Sequence, residues 1–204
     1  MHTLVEMKNI TKKFPGVIAL NNISFTIEAG EVHILLGENG AGKSTLMKIL
    51  SGVYEPTEGE IIIEGKSFNR LTPKESLANG ISIIYQELSV IGELTIYENI
   101  FLGKLATKKV LNIDIVDYDY MKKRTKEVLE QLGLKKDPET LVKDLSISEK
   151  QIVEIAKAIA FNAKVIIMDE PTSSLTNEEV DRLFIIIRKL KSEGKGIVYI
   201  SHKM

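Results

Sequence analysis

The chain has 204 residues, of which 44% are hydrophobic, which is enough for one domain with a core and too little for two typical domains. Its 27 basic and 28 acidic residues nearly cancel, so no overall positive field would attract nucleic acid. The absence of cysteine excludes disulfides and thiolate metal sites and fits a reducing cytosol. No apolar run approaches the roughly 20 residues of a membrane-spanning helix. We therefore expect a soluble protein, or one that associates with a membrane only through a partner.

Strand-like segments are short apolar runs bounded by turn residues. Some alternate apolar and polar residues, as in a sheet with one solvated face, and others are continuously apolar, as in a buried parallel sheet. Helical patterns separate several of them, which predicts an α/β fold. In chain order the predicted strands are Leu4–Met7, Ile23–Ile27, Val32–Leu36, Glu60–Ile63, Ile81–Tyr85, Val165–Met168 and Gly196–Ile200.

The helical patterns begin at recognisable capping boxes. Thr72 with Glu75, and Thr176 with Glu179, have the spacing in which the two side chains satisfy each other's backbone N–H groups. Residues from about 87 to 160 carry little strand signal. We therefore expect a helical insertion into the α/β core, with helix-like stretches at Ile96–Phe101, Tyr118–Leu132 and Ser148–Ala160.

The segment from Gly37 to Ser44 matches Gly-x-x-x-x-Gly-Lys-[Ser/Thr] and lies between a predicted strand and a helix-like run. Its glycines allow a tight turn whose N–H groups converge on phosphates, and the helix adds its positive N-terminal end. Lys43 would reach the β- and γ-phosphates, and the Ser44 hydroxyl would complete the coordination of Mg²⁺. The predicted nucleotide site comprises Gly37, Glu38, Asn39, Gly40, Ala41, Gly42, Lys43, Ser44 and Thr45.

Three single residues are candidates because of their positions. Phe14 precedes a Pro-Gly turn upstream of the phosphate loop, where its ring could stack on adenine or pack in the core. Gln86 follows a predicted strand, where its amide could contact Mg²⁺ and water, although many loop glutamines have no such role. His202 follows the last predicted strand, where its imidazole could donate a hydrogen bond to the γ-phosphate.

The buried run Val165–Met168 leads into two adjacent carboxylates, Asp169 and Glu170. Burying either carboxylate without a function would be costly. Adjacent strand residues point to opposite faces, so the two acids can take different roles at the carboxyl end of the strand. We expect Asp169 to face Mg²⁺ and Glu170 to polarise the attacking water as a general base.

Together these residues resemble the ATP-binding domain of ATP-binding cassette (ABC) transporters, over nearly the whole chain. The motifs occur in the family's order, which is more specific than any one of them. The segments IIYQELSV, LSISEKQIVEIAKA and VYISHKM resemble the first cassette of bacterial monosaccharide importers of the ribose, galactose and allose kind, the allose kind most of all. The ordered motifs are Phe14, the phosphate loop, Gln86, the signature at Leu145–Gln151, the Asp169-Glu170 pair, the D-loop at Ser173–Thr176 and the switch His202.

The resemblance implies a P-loop NTPase fold: a RecA-like core, a peripheral antiparallel β region and a helical subdomain nested at about 87–160. It implies that residues 1–204 are a single ATP-binding domain, incomplete at its C-terminus, because the chain stops two residues after His202. It also implies that Gln86 and Asp169 join Ser44 around Mg²⁺. Catalysis would then use Glu170, His202 and Gln86.

The resemblance further implies that the chain binds and hydrolyses Mg-ATP to drive monosaccharide import. Its partners would be transmembrane permease subunits, a second ATP-binding cassette and, indirectly, a periplasmic sugar-binding protein, with no nucleic acid. It would lie peripherally at the cytoplasmic face of the inner membrane. Ser146, Ile147 and Ser148, in the signature, would face the nucleotide of the second cassette.

This sequence departs from the family pattern in its signature and D-loop. The family signature is Leu-Ser-Gly-Gly-Gln, whereas here Ile147 and Ser148 replace both glycines and Glu149 replaces the glutamine. A side chain at either glycine position obstructs close backbone approach to a phosphate. Thr176 stands where the D-loop usually ends in Asp. Two alternatives remain open: a soluble ABC-type ATPase acting in translation or repair, and a nucleotide-binding fragment that does not hydrolyse ATP.

Overall fold

The computed structural model describes residues 2–38, 40–172 and 175–201. The chain divides into two compact units. The first comprises Met1–Gln86, Ala163–Ser173 and Val180–Met204, and the second comprises Glu87–Asn162 and Ser174–Glu179. The second unit overlaps the stretch of about 87–160 where a helical subdomain is expected. The assignment of the whole chain to a single, C-terminally incomplete domain remains a prediction.

The first unit contains a parallel sheet of strand order β3-β10-β9-β6. These strands are β3 (Val32–Leu36), β6 (Ile81–Ile84), β9 (Val165–Asp169) and β10 (Gly196–Ser201). The first four residues of β9 and the first five of β10 are buried, as their continuous apolar sequence predicts. The predicted strands of this sheet are therefore confirmed.

The first unit also contains an antiparallel sheet of strand order β2-β1-β4-β5. Its strands are β1 (Thr3–Phe14), β2 (Val17–Glu28), β4 (Glu58–Ile63) and β5 (Lys66–Phe68). Strands β1 and β2 are longer than predicted because their hairpin continues past the apolar runs into polar residues such as Lys12 and Lys13. Strand β5 was missed, since three residues give no detectable alternation.

Three helices belong wholly or largely to the first unit: α1 (Lys43–Leu50), α2 (Pro73–Ala78) and α6 (Asn177–Ser192). Helix α1 buries Leu46, Met47, Ile49 and Leu50 in a cluster that also contains residues of both sheets, among them Ile10 and Ile167. The helix that follows the phosphate loop is therefore anchored by its apolar face. Its polar N-terminus is left at the surface of this core.

The second unit contains α3 (Ile96–Ile100), α4 (Tyr118–Gln131), a short 3-10 helix (Val142–Asp144) and α5 (Ile147–Ala160). The predicted helices here are confirmed, but the expectation of a helical insertion was incomplete, because this unit also contains two strands. A hairpin of β7 (Thr107–Val110) and β8 (Ile113–Val116) lies between α3 and α4. Its turn residues Leu111 and Asn112 have φ values of 49° and 65°, as a two-residue hairpin turn requires. The hairpin was not predicted because all four residues of β7 are exposed and most of them are polar, so the strand has no apolar alternation.

The predicted capping boxes are present. The Thr72 hydroxyl accepts a hydrogen bond from the Glu75 N–H, and the Glu75 carboxylate accepts one from the Thr72 N–H. Thr176 and Glu179 exchange the same pair of bonds at 3.0 and 3.4 Å. In the part of the chain that the structure describes, no helix combines the length and apolar character needed to cross a membrane.

Candidate nucleotide-binding site

The phosphate loop connects β3 to α1 and makes a tight turn at Gly42. Gly42 is the N-cap of α1 and has a φ of 85°, a conformation that favours glycine. A Cβ atom at this position would lie 2.7 Å from the carbonyl oxygen of Ala19 and 2.8 Å from a methyl group of Leu20. The close approach of the β1–β2 hairpin therefore adds a second reason for glycine here.

The N-terminus of α1 has no side-chain cap. The first intrahelical bond runs from the Leu46 N–H to the Gly42 carbonyl at 2.9 Å, so the amides of Lys43, Ser44 and Thr45 precede the helical ladder. Helix N-termini of this kind attract anions through their N–H groups and the helix dipole. The geometry thus supplies the backbone donors that the loop sequence predicts.

The Lys43 ammonium lies over the loop. Its Nζ donates to the carbonyl oxygens of Gly37 at 2.5 Å and Glu38 at 2.9 Å. The side chain therefore folds back from α1 across the loop that precedes it. A cation held here complements the positive end of α1, and both favour a negatively charged ligand.

An open cavity of about 190 Å³ lies at the loop and brings several predicted residues together. Residues 40–45 of the phosphate loop and Glu170 line it. Sequence reasoning missed four further lining residues: Val17, Ile18 and Ala19 at the start of β2, and Ile200 on β10. Val17 and Ile18 are 60% and 61% exposed, and their position directly after the Pro-Gly turn was the available signal.

Phe14 does not line this cavity. It is half-buried, its ring packs edge-on against Tyr54 with centroids 5.4 Å apart, and the Lys12 ammonium lies 5.0 Å from the ring centroid. The Phe14 ring is therefore engaged with Tyr54 and Lys12. Its stacking on adenine remains a prediction.

Asp169 and Glu170 lie at the carboxyl end of β9. Glu170 has a φ of 49°, and its N–H donates to the Ile200 carbonyl on β10 at 3.1 Å. Burial raises the pKa of Asp169, and the Glu170 carboxylate raises it further, while Lys48 and Lys43 act in the opposite direction. The pair thus places negative charge in a partly desolvated position beside the phosphate loop.

The signature segment lies in the second unit. Ser146 is the N-cap of α5: its hydroxyl accepts from the Glu149 N–H at 3.3 Å and contacts the Ser148 hydroxyl at 3.1 Å. The Glu149 carboxylate accepts from the Ser146 N–H at 2.9 Å and pairs with Lys136 at 3.2 Å. Burial acts to raise the pKa of Glu149, but these partners lower it overall. Ile147 is half exposed.

Not every predicted residue can be placed at the cavity. Gln86 is exposed in the segment after β6 and does not line it. Asn39, Ser173 and His202 lie outside the described residues. Their assigned roles remain predictions, as do the roles of Ser146, Ile147 and Ser148.

The fold is similar to solved structures of ATP-binding cassettes. The ADP conformation of MJ1267, described as an ATP-binding cassette of an ABC transporter, matches with a TM-score of 0.88 at 26% identity, over 100% of this chain and 83% of that chain. The dimeric post-hydrolysis structure of the cassette MJ0796, bound to ADP and Pi, matches with a TM-score of 0.78 at 30% identity, over 98% and 88% of the two chains. The predicted P-loop NTPase fold is therefore confirmed.

Curated relatives are import proteins. The D-allose import ATP-binding protein AlsA of Escherichia coli is 54% identical over 98% of this chain and 39% of its own length. The arabinose import ATP-binding protein AraG of Yersinia pestis is 53% identical, over 97% and 37% of the two chains. The ribose import ATP-binding protein RbsA 1 of Rubrobacter xylanophilus is 49% identical over 100% of this chain and 40% of its own length. This chain thus spans about two fifths of the length of these relatives.

The family model described as "ABC transporter" matches residues 20–173, which include the phosphate loop, the signature segment and the Asp169-Glu170 pair. This match covers well over half of the chain, in agreement with the fold and with the relatives. The chain therefore belongs to the ABC transporter family.

Proposed function

We propose that this chain binds Mg-ATP and, together with a second cassette, hydrolyses it to power the import of a monosaccharide. The observation that carries the proposal is the cavity at the phosphate loop. The uncapped N-terminus of α1 and Glu170 line this cavity, and the Lys43 ammonium lies over the same loop. Phosphoryl transfer requires both a cradle for the phosphates and a group that orients water.

The phosphate cradle is the best supported part of this proposal. The amides of Lys43, Ser44 and Thr45 and the Lys43 ammonium present several positive donors within one short segment. The apolar residues Val17 and Ile18 line the same cavity and offer a surface to the uncharged part of a nucleotide. A di- or triphosphate nucleotide fits this combination of charge and apolar surface.

The residues present also fit Mg²⁺. Among residues 2–38, 40–172 and 175–201, no group of three His, Cys, Asp or Glu side chains could hold a metal by itself. Mg²⁺ in nucleotide sites is commonly bound by one or two protein oxygens together with the phosphates. The Ser44 hydroxyl and the Asp169 carboxylate are such oxygens, and burial raises the pKa of Asp169, which a nearby cation would offset. We assign Gln86 as a further ligand on the family resemblance.

Glu170 is the proposed general base. It lines the same cavity as the phosphate loop, and its backbone is fixed to Ile200 by a hydrogen bond. A carboxylate at this position could accept a proton from water that attacks the γ-phosphate. When bound, Mg²⁺ would neutralise charge on the phosphate oxygens, while Glu170 orients the water.

The transport role is supported by the relatives. All three are described as sugar import ATP-binding proteins. We propose transmembrane permease subunits, a second cassette and a periplasmic sugar-binding protein as partners, and a position on the cytoplasmic face of the inner membrane. Ser146, Ile147 and Ser148 would face the nucleotide of the second cassette. These relatives give no support to a role in translation or repair, or to a fragment that does not hydrolyse ATP.

Lys43→Ala should lower the affinity for Mg-ATP by roughly 100-fold or more, because the loop amides would then face the phosphates without their main counter-charge. Isothermal titration calorimetry of the folded variant measures this. The matched control is Lys74→Ala on α2, since Lys74 is an exposed lysine of the same unit that does not line the cavity. Near-equal affinity of the parent and Lys43→Ala proteins would contradict the cradle.

Asp169→Asn should stabilise the nucleotide-free chain at neutral pH. The pKa of Asp169 is higher in the folded state than in the unfolded state. Ionisation of this carboxyl therefore lowers the free energy of unfolding as the pH rises from the unfolded-state pKa to the folded-state pKa. The variant removes that cost. Its melting temperature should exceed that of the parent at pH 7, and the difference should shrink as the pH falls toward about 4, below which the carboxyl is protonated in both the folded and the unfolded chain.

The matched control for this pH dependence is Asp114→Asn, at an exposed position in the β7–β8 hairpin. We expect no comparable gain at pH 7 from this change. A lower melting temperature of Asp169→Asn than of the parent at pH 7 would show that the charged carboxylate is stabilised in the apo site, contrary to this account.

Glu170→Gln in a complete transporter should lower ATP turnover by about 100-fold or more while preserving Mg-ATP binding, the usual effect of losing a general base. Steady-state phosphate release and nucleotide binding measure the two effects separately. Glu178→Gln, at an exposed position on α6, is the matched control. Turnover of Glu170→Gln within a few-fold of the parent would assign the base to another residue.

A further inference from the structure

Helix α5 carries a buried carboxylate that none of the roles assigned above uses. Glu154 lies in the middle of the helix and is only 6% exposed. A buried carboxylate is costly unless it is paired and hydrogen-bonded, so its partners indicate what it does. An apolar residue at this position would avoid the free energy that is needed to remove the carboxylate from water.

Glu154 binds the segment that follows Gln86. Its Oε1 accepts hydrogen bonds from both the N–H and the hydroxyl of Ser89, at 2.9 and 2.7 Å. Its Oε2 lies 3.7 Å from the Lys157 ammonium, one turn further along α5. One oxygen of the carboxylate is therefore dedicated to Ser89, which is three residues after Gln86 in the chain.

A second buried polar side chain fixes the same segment two residues later. Asn99 on α3 is fully buried, and its Oδ1 accepts from the Ile91 N–H at 2.7 Å. Its Nδ2 donates to the Ile91 carbonyl at 3.0 Å and to the Thr95 carbonyl at 3.0 Å. The segment is thus held by side-chain hydrogen bonds at Ser89 and again at Ile91. These bonds restrict the backbone of the residues that follow Glu87.

We propose that Glu154 is a positioning residue for Gln86. The proposal rests on the function given above, in which Gln86 contacts Mg²⁺ and the attacking water. By fixing Ser89, Glu154 limits the positions that the short connection to Gln86 can adopt. A reaction is fast when the reacting groups are held within a fraction of an ångström of their productive positions. A distant change that displaces one of these groups therefore lowers the rate. Glu154 belongs to the second unit, whereas the residues that line the cavity at the phosphate loop belong to the first.

The proposal predicts a selective loss of turnover. Glu154→Ala should lower kcat for ATP hydrolysis by about 10- to 100-fold in the complete transporter. Its affinity for Mg-ATP should stay within a few-fold of the parent, since Lys43 and the loop amides remain. Glu154→Gln keeps a carbonyl oxygen that can accept both bonds from Ser89, so it should restore kcat to within a few-fold of the parent.

Val153→Ala is the control for general loosening of α5. Val153 is fully buried on the same helix but makes no bond to the segment after Gln86. It should lower the melting temperature and leave kcat within a few-fold of the parent. If Val153→Ala reduces kcat as much as Glu154→Ala, or if Glu154→Ala retains kcat, the proposal is overturned.

Hydrogen exchange separates this proposal from the function on which it rests. In the 204-residue chain, the Ser89 amide should lose protection in Glu154→Ala and keep it in Glu154→Gln, whereas the Ile91 amide, which donates to Asn99, should keep its protection in both. If the complete parent transporter hydrolyses no ATP, the proposed function fails, and exchange alone decides whether Glu154 positions the segment. Unchanged protection of Ser89 in Glu154→Ala would overturn the positioning role in either case.

Discussion

The uncapped N-terminus of α1 is the constraint on which the candidate site depends. Three amides precede the first intrahelical bond, and no side chain of the helix satisfies them. Leaving such donors at the end of a buried helix is unfavourable unless water or a ligand takes them. The ammonium group of Lys43, the first residue of α1, lies over the adjacent loop and adds positive charge at this end of the helix. An anionic ligand therefore has more favourable contacts here than any uncharged one.

The rest of the first unit holds this N-terminus in place. Helix α1 buries one apolar face in a core shared with both sheets, which fixes the position of its N-terminus, and its N-cap residue Gly42 has no side chain with which to cap the amides. The β1–β2 hairpin approaches Gly42 so closely that a methyl group there would clash with Ala19. Strand β9 ends with Asp169 and Glu170, of which Glu170 lines the same cavity. The core thus sets the geometry that the polar groups use.

Sequence reasoning succeeded for features that a few neighbouring residues determine by themselves. The phosphate loop, the buried strand β9 and the capping boxes all depend on short-range chemistry, and the structure has them where they were predicted. It failed for the β7–β8 hairpin, whose polar, exposed first strand has no alternation to detect. It also missed Val17 and Ile18 in the cavity: the Pro-Gly turn before them indicates only a loop, and it is the fold that brings the start of β2 to the phosphate loop.

The most direct measurement is the backbone amide response of the ¹⁵N-labelled chain to two ligands, Mg-ADP and adenosine. If the N-terminus of α1 is the phosphate site, the amide resonances of Lys43, Ser44 and Thr45 should shift strongly with Mg-ADP and little with adenosine at the same concentration. Saturable binding of Mg-ADP that leaves these three amides unshifted would contradict the account.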